Sequence, residues 1–175
     1  MNDGITAETA VVGRYGVVGI NALMGGSETT QTEYMVQIAG SAFKANARSL
    51  REEFNCNQEL RDVLLRYNQA FIAQISQTAA CNCLHTIEQR FARWLLEVQD
   101  RISLDELRLT QQFISDMLGV RRAGVTQAAQ KLQEKGLIQY RRGLVKILDI
   151  QGLEETSCEC FRIVKNEHER LFGTR

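Results

Sequence analysis

Between Thr110 and Asp149 the chain carries two apolar-periodic runs, each closed by a glycine, and then two short segments around Arg142-Gly143. Thr110 stands as an N-cap before Phe113, Ile114, Met117 and Leu118, whose steps of one, three and one share a helix face. Gly119 closes this run, since glycine tolerates the positive φ of a helix C-terminus. A second helix is predicted from Arg121 or Arg122 to Lys135, with Val125, Ala128, Ala129 and Leu132 inward and Gly136 ending it. Residues 137–141 and 144–148 read as a hairpin, and Leu107-Arg108-Leu109 alternates like a short strand. Helix, turn, helix and hairpin in that order predict a winged helix-turn-helix.

Charge distribution gives this segment a chemistry. The whole chain has a formal charge of zero, so its average attracts neither nucleic acid nor membrane. From Gly119 to Leu148, however, Arg121, Arg122, Lys131, Lys135, Arg141, Arg142 and Lys146 face Glu134 as the only acidic residue. A local positive potential of that kind is what phosphate binding requires. Arg121, Arg122 and Gln127 fall in the N-terminal part of the second helix, the part that enters the major groove in such motifs. Arginine can bond two guanine acceptors together and glutamine can do the same for adenine, so these residues, with Thr126, are the candidates for base reading. Thr110, Lys131, Arg141, Arg142 and Lys146 are the candidates for phosphate contacts. The competing reading is a winged helix whose basic face meets a protein, or a sensor fragment that binds no DNA.

Upstream, the composition changes twice. Residues up to about Asn46 are glycine-punctuated and β-branched, and segments 10–12, 17–22, 33–38 and 41–44 read as short strands. Four strands are too few to close a barrel or build a two-sheet sandwich. Residues 47–53 read as a short helix, and Asn57 or a neighbour is placed to cap a longer one. Proline is absent, where average usage would give roughly nine in a chain this long, so long helices meet no interruption. Leu60, Leu64, Tyr67, Phe71 and Ile75 follow the three-and-four spacing of a helix seam. A parallel dimer and packing against the chain's own sheet both satisfy that spacing. Ile87, Phe91, Trp94, Leu95 and Val98 form the stripe of a further helix over 86–98, with Trp94 as a core anchor.

Five cysteines, an odd count without a leading signal pattern, argue against a disulfide framework and for a cytoplasmic protein. No apolar run approaches the roughly 20 residues of a membrane span. Cys81-Asn82-Cys83 and Cys158-Glu159-Cys160 hold their cysteines two apart, and such neighbours on a helix point about 200° apart. One helix cannot offer both to one ion, so these thiols read as inert and buried, with no metal and no cofactor expected. His85 and His168 have no ligand constellation at sequence spacing. There is no phosphate loop after a strand, no nucleophile elbow and no zinc motif, so an enzyme is not expected.

The run Phe113-Ile114-Ser115-Asp116-Met117-Leu118-Gly119-Val120-Arg121-Arg122 resembles the DNA-binding domain of the Crp–Fnr regulator superfamily. The likeness continues through Val125-Thr126, Leu132, Gly136-Leu137-Ile138, Gly143 and Ile147-Leu148-Asp149, and Cys158-Glu159-Cys160-Phe161 resembles a terminal helix of one bacterial subgroup. The seam helix resembles the family's dimerisation helix, and the glycine-rich start resembles the end of its sensor β-roll. The resemblance implies an α+β chain with a partial antiparallel β-roll over 1–54, a dimerisation helix over 55–84 and a winged helix-turn-helix with a C-terminal helix over 85–175. Its implied partners are double-stranded DNA, a second copy of the chain and RNA polymerase.

Three departures qualify it. Where family sensors bind a cyclic nucleotide with a glutamate and an arginine-serine pair, this chain reads Gly16-Val17-Val18-Gly19 and Gly25-Gly26-Ser27-Glu28-Thr29-Thr30-Gln31-Thr32. Valine accepts no hydrogen bond from a ribose hydroxyl, and no arginine stands ready for the phosphate, so cyclic nucleotide binding is not expected. The family's roll needs about twice the strands found before Ala45, so its first half is expected to be missing. Ala123 occupies a position where many members place glutamate, which implies a different target sequence.

Overall fold

The computed structural model describes residues 7–24, 32–102 and 106–173. The chain divides into two compact units. The smaller spans Tyr15–Gln69, and the larger joins the segment up to Arg14 to everything from Ala70 onward.

In the smaller unit a 3-10 helix, Ile20–Leu23, precedes α1 (Ala47–Cys56) and the first part of α2 (Gln58–Leu84). Asn46 caps α1 by accepting from the amides of Arg48 and Ser49, and Asn57 Oδ1 accepts from the Leu60 amide. The strands expected at 10–12, 17–22, 33–38 and 41–44 do not form among the described residues. A strand is held by a neighbour's ladder, and these short runs have no neighbour to supply one. Side chains take over part of that bonding. Arg51 donates to the Ala22 carbonyl at 2.6 Å, and the Tyr67 hydroxyl donates to that of Val17 at 2.9 Å.

The larger unit is built on α3 (Ile87–Ile102). Thr86 and Gln89 form a capping box at its start: Gln89 Oε1 accepts from the Thr86 amide at 3.1 Å, and Thr86 Oγ1 from the Gln89 amide. Residues 90–98 are all buried, the charged Arg90, Arg93 and Glu97 with the predicted apolar stripe. Trp94 is only 1% exposed; its indole nitrogen donates to Glu8 Oε1 at 2.9 Å, and its ring lies 6.4 Å from that of Phe113. The helix runs past the predicted end at Val98, because no glycine or proline interrupts it there.

The helices α4 (Gln111–Leu118), α5 (Arg122–Glu134), α6 (Ile150–Thr156) and α7 (Cys160–Phe172) pack on α3, and the same unit holds β1 (Glu106–Arg108), β2 (Ile138–Arg141) and β3 (Leu144–Ile147). The strands form one antiparallel sheet in the order β1-β3-β2, with Leu107 and Tyr140 both opposite Val145. Gly124 permits α5 to lie close on α3, since a Cβ there would come within 2.9 Å of Ile87 Cδ1. No helix among the described residues is long and apolar enough to cross a membrane.

Candidate nucleic-acid interface

The turn between α4 and α5 sets the direction of the exposed arginines. Thr110 Oγ1 accepts from the Phe113 amide at 3.1 Å, which fixes the start of α4. Gly119 ends that helix at φ 61°, in the left-handed region, and its amide reaches back to the carbonyls of Ser115 and Asp116. Arg121 is then extended at the N-cap of α5 without a side-chain cap, so both Arg121 and Arg122 stand exposed at the helix start. Val125, Ala128, Ala129 and Leu132 anchor the opposite face in the core. Thr126 and Gln127 lie on the exposed face, the Thr126 hydroxyl donating to the Arg122 carbonyl at 3.0 Å.

The hairpin turns at Arg142 (φ 52°) and Gly143 (φ 77°), two successive left-handed residues as a two-residue I′ turn demands. The Gly143 carbonyl accepts from the Leu109 amide at 2.8 Å, which ties the hairpin tip to the start of α4. Tyr140 is the strut beneath this face. Its hydroxyl donates to the Leu109 carbonyl at 3.0 Å, and its amide donates to Gln133 Oε1 of α5 at 2.8 Å. Burial raises the Tyr140 pKa above its ordinary value while the nearby Arg122 guanidinium opposes the rise. The start of α5 and the hairpin therefore share one side of the fold.

Among the described residues Arg121, Arg122, Arg141 and Arg142 enter no ion pair. The predicted lysines differ. Glu88 of α3 holds Lys135 at 2.6 Å and reaches Lys131 at 3.6 Å, and Lys146 lies 3.4 Å from Glu106 on the adjacent strand. The surplus of basic charge along the sequence is thus smaller in space, and it is concentrated on the arginines.

These features have counterparts in known proteins. Residues 89–156 match the Crp-like helix-turn-helix domain family. This segment is similar to Crp-like helix-turn-helix domains. The matched segment begins inside α3 and ends with α6, so it contains the α4–α5 turn, α5 and the hairpin. The fold is similar to that of FixK2 from Bradyrhizobium japonicum, at 18% identity over 64% of this chain and 59% of that one, with a TM-score of 0.58. It is also similar to a Crp/Fnr-family transcriptional regulator from Thermus thermophilus, at 22% identity over 58% and 55% of the two chains, with a TM-score of 0.53. A protein from Eubacterium rectale described as a Crp/Fnr-family transcriptional regulator gives 22% identity over 63% and 51%, with a TM-score of 0.50. At these identities the likeness concerns the fold. The chain spans between half and three-fifths of the length of these structures. No curated relative matches the sequence.

Of the predicted seam residues, Leu64 is buried within the single chain, and Leu60, Tyr67, Phe71 and Ile75 are half-buried. Val63, Leu65 and Ile72 are the large apolar residues of α2 left more open, with Leu84 at its end. Sequence spacing missed Glu88 as the ion-pair partner of Lys131 and Lys135. Its only sequence signal was position, one residue after the first apolar residue of a helix whose packing on α5 had not been foreseen.

Proposed function

We propose that this chain binds double-stranded DNA sequence-specifically and acts as a transcriptional regulator. α5 lies in the major groove and the β2–β3 hairpin lies along the flanking backbone. The observation that carries this reading is the set of four exposed arginines without ionic partners, on the two elements a winged helix offers to a duplex. Arg121, Arg122, Thr126 and Gln127 read base edges. Thr110, Arg141 and Arg142 fix the register on phosphates, while Lys131 and Lys146 contribute less because carboxylates already hold them.

Two copies pair along α2 and present two reading helices to a near-palindromic site, with RNA polymerase as the further protein partner. Selection of bound sequences from random duplex DNA tests the proposal, run in parallel with the Arg121→Ala/Arg122→Ala double variant. The expected result is a two-half-site motif that the variant fails to recover. No enrichment by the folded wild-type chain would overturn the DNA reading and favour a protein-binding winged helix.

A further inference from the structure

Four side chains that DNA reading does not use converge at the joint between α2 and α3. Cys81 points inward from the last turn of α2, and His85 follows directly after that helix. Cys158 lies in the connection after α6, and Cys160 opens α7. One donor atom from each residue, three Sγ and one imidazole nitrogen, lies within 4.8 Å of every other. Cys81 Sγ is 3.4 Å from Cys158 Sγ, and Cys160 Sγ is 3.5 Å from His85 Nδ1. All three of these thiols are buried, whereas Cys56 and Cys83 are exposed.

The backbone explains how a two-residue spacing can serve one ion. Cys83 obeys the helical rule and turns away from Cys81. Cys158 is not on a helix, because Ser157 is extended at ψ 167° and the helical turn begins only at Glu159. Cys158 and Cys160 therefore straddle the start of α7 and face the same point. The sequence expectation of buried, inert thiols treated both pairs as helical; that geometry holds for Cys81 and Cys83, of which Cys83 is exposed, and not for Cys158 and Cys160.

The surroundings are those of a ligand set. His85 directs Nδ1 to the thiols while its Nε2 lies 3.4 Å from Glu159 Oε1, the carboxylate support that metal-bound histidines ordinarily have. Gln77 Nε2 donates to Cys160 Sγ at 3.1 Å. Arg90 and Arg93 of α3, both buried, lie within electrostatic reach of Cys81 and Cys158.

We propose that Cys81, His85, Cys158 and Cys160 together bind one thiophilic divalent cation of the Zn2+ class in a closed tetrahedral site. At Zn–S distances of about 2.3 Å a tetrahedron separates its thiolates by roughly 3.8 Å, close to the spacing these donors already have. Four protein donors leave no open position, which makes the site structural. An iron–sulfur cluster interposes sulfides and further metals among its terminal thiolates and needs them more widely spread. A Cys81–Cys158 disulfide would use two thiols and leave the Cys160–His85–Glu159 arrangement without a role. Binding replaces thiol protons by metal: one dication, three thiols and a neutral imidazole give a complex of charge −1 and release up to three protons. The ion ties the start of α7 to the α2–α3 joint.

The test is anaerobic titration of the chelator-treated, reduced full chain with Co2+. Saturation at one equivalent is expected, with the ligand-field bands of tetrahedral cobalt, a thiolate-to-cobalt charge-transfer band, proton release and displacement by Zn2+. Cys56→Ser and Cys83→Ser should titrate as wild type, Cys160→Ser should lose charge-transfer intensity, and Glu159→Gln should weaken affinity by about 10–100-fold. Absence of saturable binding below millimolar Co2+ would overturn the proposal. So would a wild-type titration that yields a Cys81–Cys158 disulfide in place of metal, or an unchanged spectrum for Cys160→Ser. If Cys160→Ser does not fold, the number of thiolates read from the wild-type charge-transfer intensity decides, and fewer than three rejects the site.

Discussion

The Glu88 carboxylate of α3 meets the ammonium of Lys135, the C-cap of α5, at 2.6 Å, and its second oxygen lies 3.6 Å from Lys131. An acidic residue 47 positions before Lys135 thus holds basic charge that phosphate would otherwise take in the proposed DNA complex. A glutamine there keeps the side-chain shape, removes the charge and frees Lys131. Glu88→Gln should raise DNA affinity at low salt and steepen the log K against log salt slope by about 0.9 for each phosphate gained. Stability should move by less than about 1 kcal/mol, as for other exposed pairs. A binding series over salt on a fixed duplex measures the slope, and a melt of the same variant measures the stability. An unchanged slope would mean that Lys131 does not reach the backbone.

Arg142 holds a left-handed backbone conformation at the hairpin tip, which costs a non-glycine residue roughly 1 kcal/mol. Arg142→Gly should therefore leave thermal stability level or slightly higher while weakening binding to all duplexes alike. Melting and binding measured on one preparation separate the two effects. Loss of stability together with binding would show that the tip charge serves the fold.

Arg93 and Glu97 pair at 2.7 Å, with their side chains only 4% and 3% exposed. Burial works against the Arg93 charge, but Glu97 together with the nearby Cys81 and Cys158 outweighs it and the guanidinium pKa is raised. Removing one partner strands the other inside, so Glu97→Ala should destabilise by about 3–5 kcal/mol. Arg93→Met combined with Glu97→Leu should recover most of that loss in urea denaturation. A double variant no better than the single one would assign the cost to packing.

Thr110 caps α4 and, in the proposed complex with DNA, also meets phosphate, and the two roles can be divided. Aspartate caps as well as threonine but repels a phosphate, so Thr110→Asp should keep stability and weaken DNA binding. Thr110→Ala should cost about 1 kcal/mol of stability. Equal DNA affinity for Thr110→Asp and wild type would remove Thr110 from the interface.

Local signals suffice where the interaction they encode is short in range. Thr110, Gly119, Gly136 and Arg142-Gly143 each act on backbone within four residues, and each stands at the predicted boundary. The first segment failed as a strand prediction for the converse reason. The apolar runs at 10–12 and 17–22 have the composition of strands, but a strand also needs a partner, and composition does not supply one.

What the sequence alone determined is the winged helix-turn-helix and the residues exposed at the start of its second helix, since capping, periodicity and turn chemistry are properties of neighbouring residues. Tertiary structure alone decided which basic side chains remain available, because Glu88 and Glu106 reach Lys131, Lys135 and Lys146 from distant elements. It also decided that Cys81, His85, Cys158 and Cys160 meet, as their donors come from separate segments. The physical reason is the same for both: spacing along a helix fixes the direction of a side chain, and only packing between helices fixes what it faces.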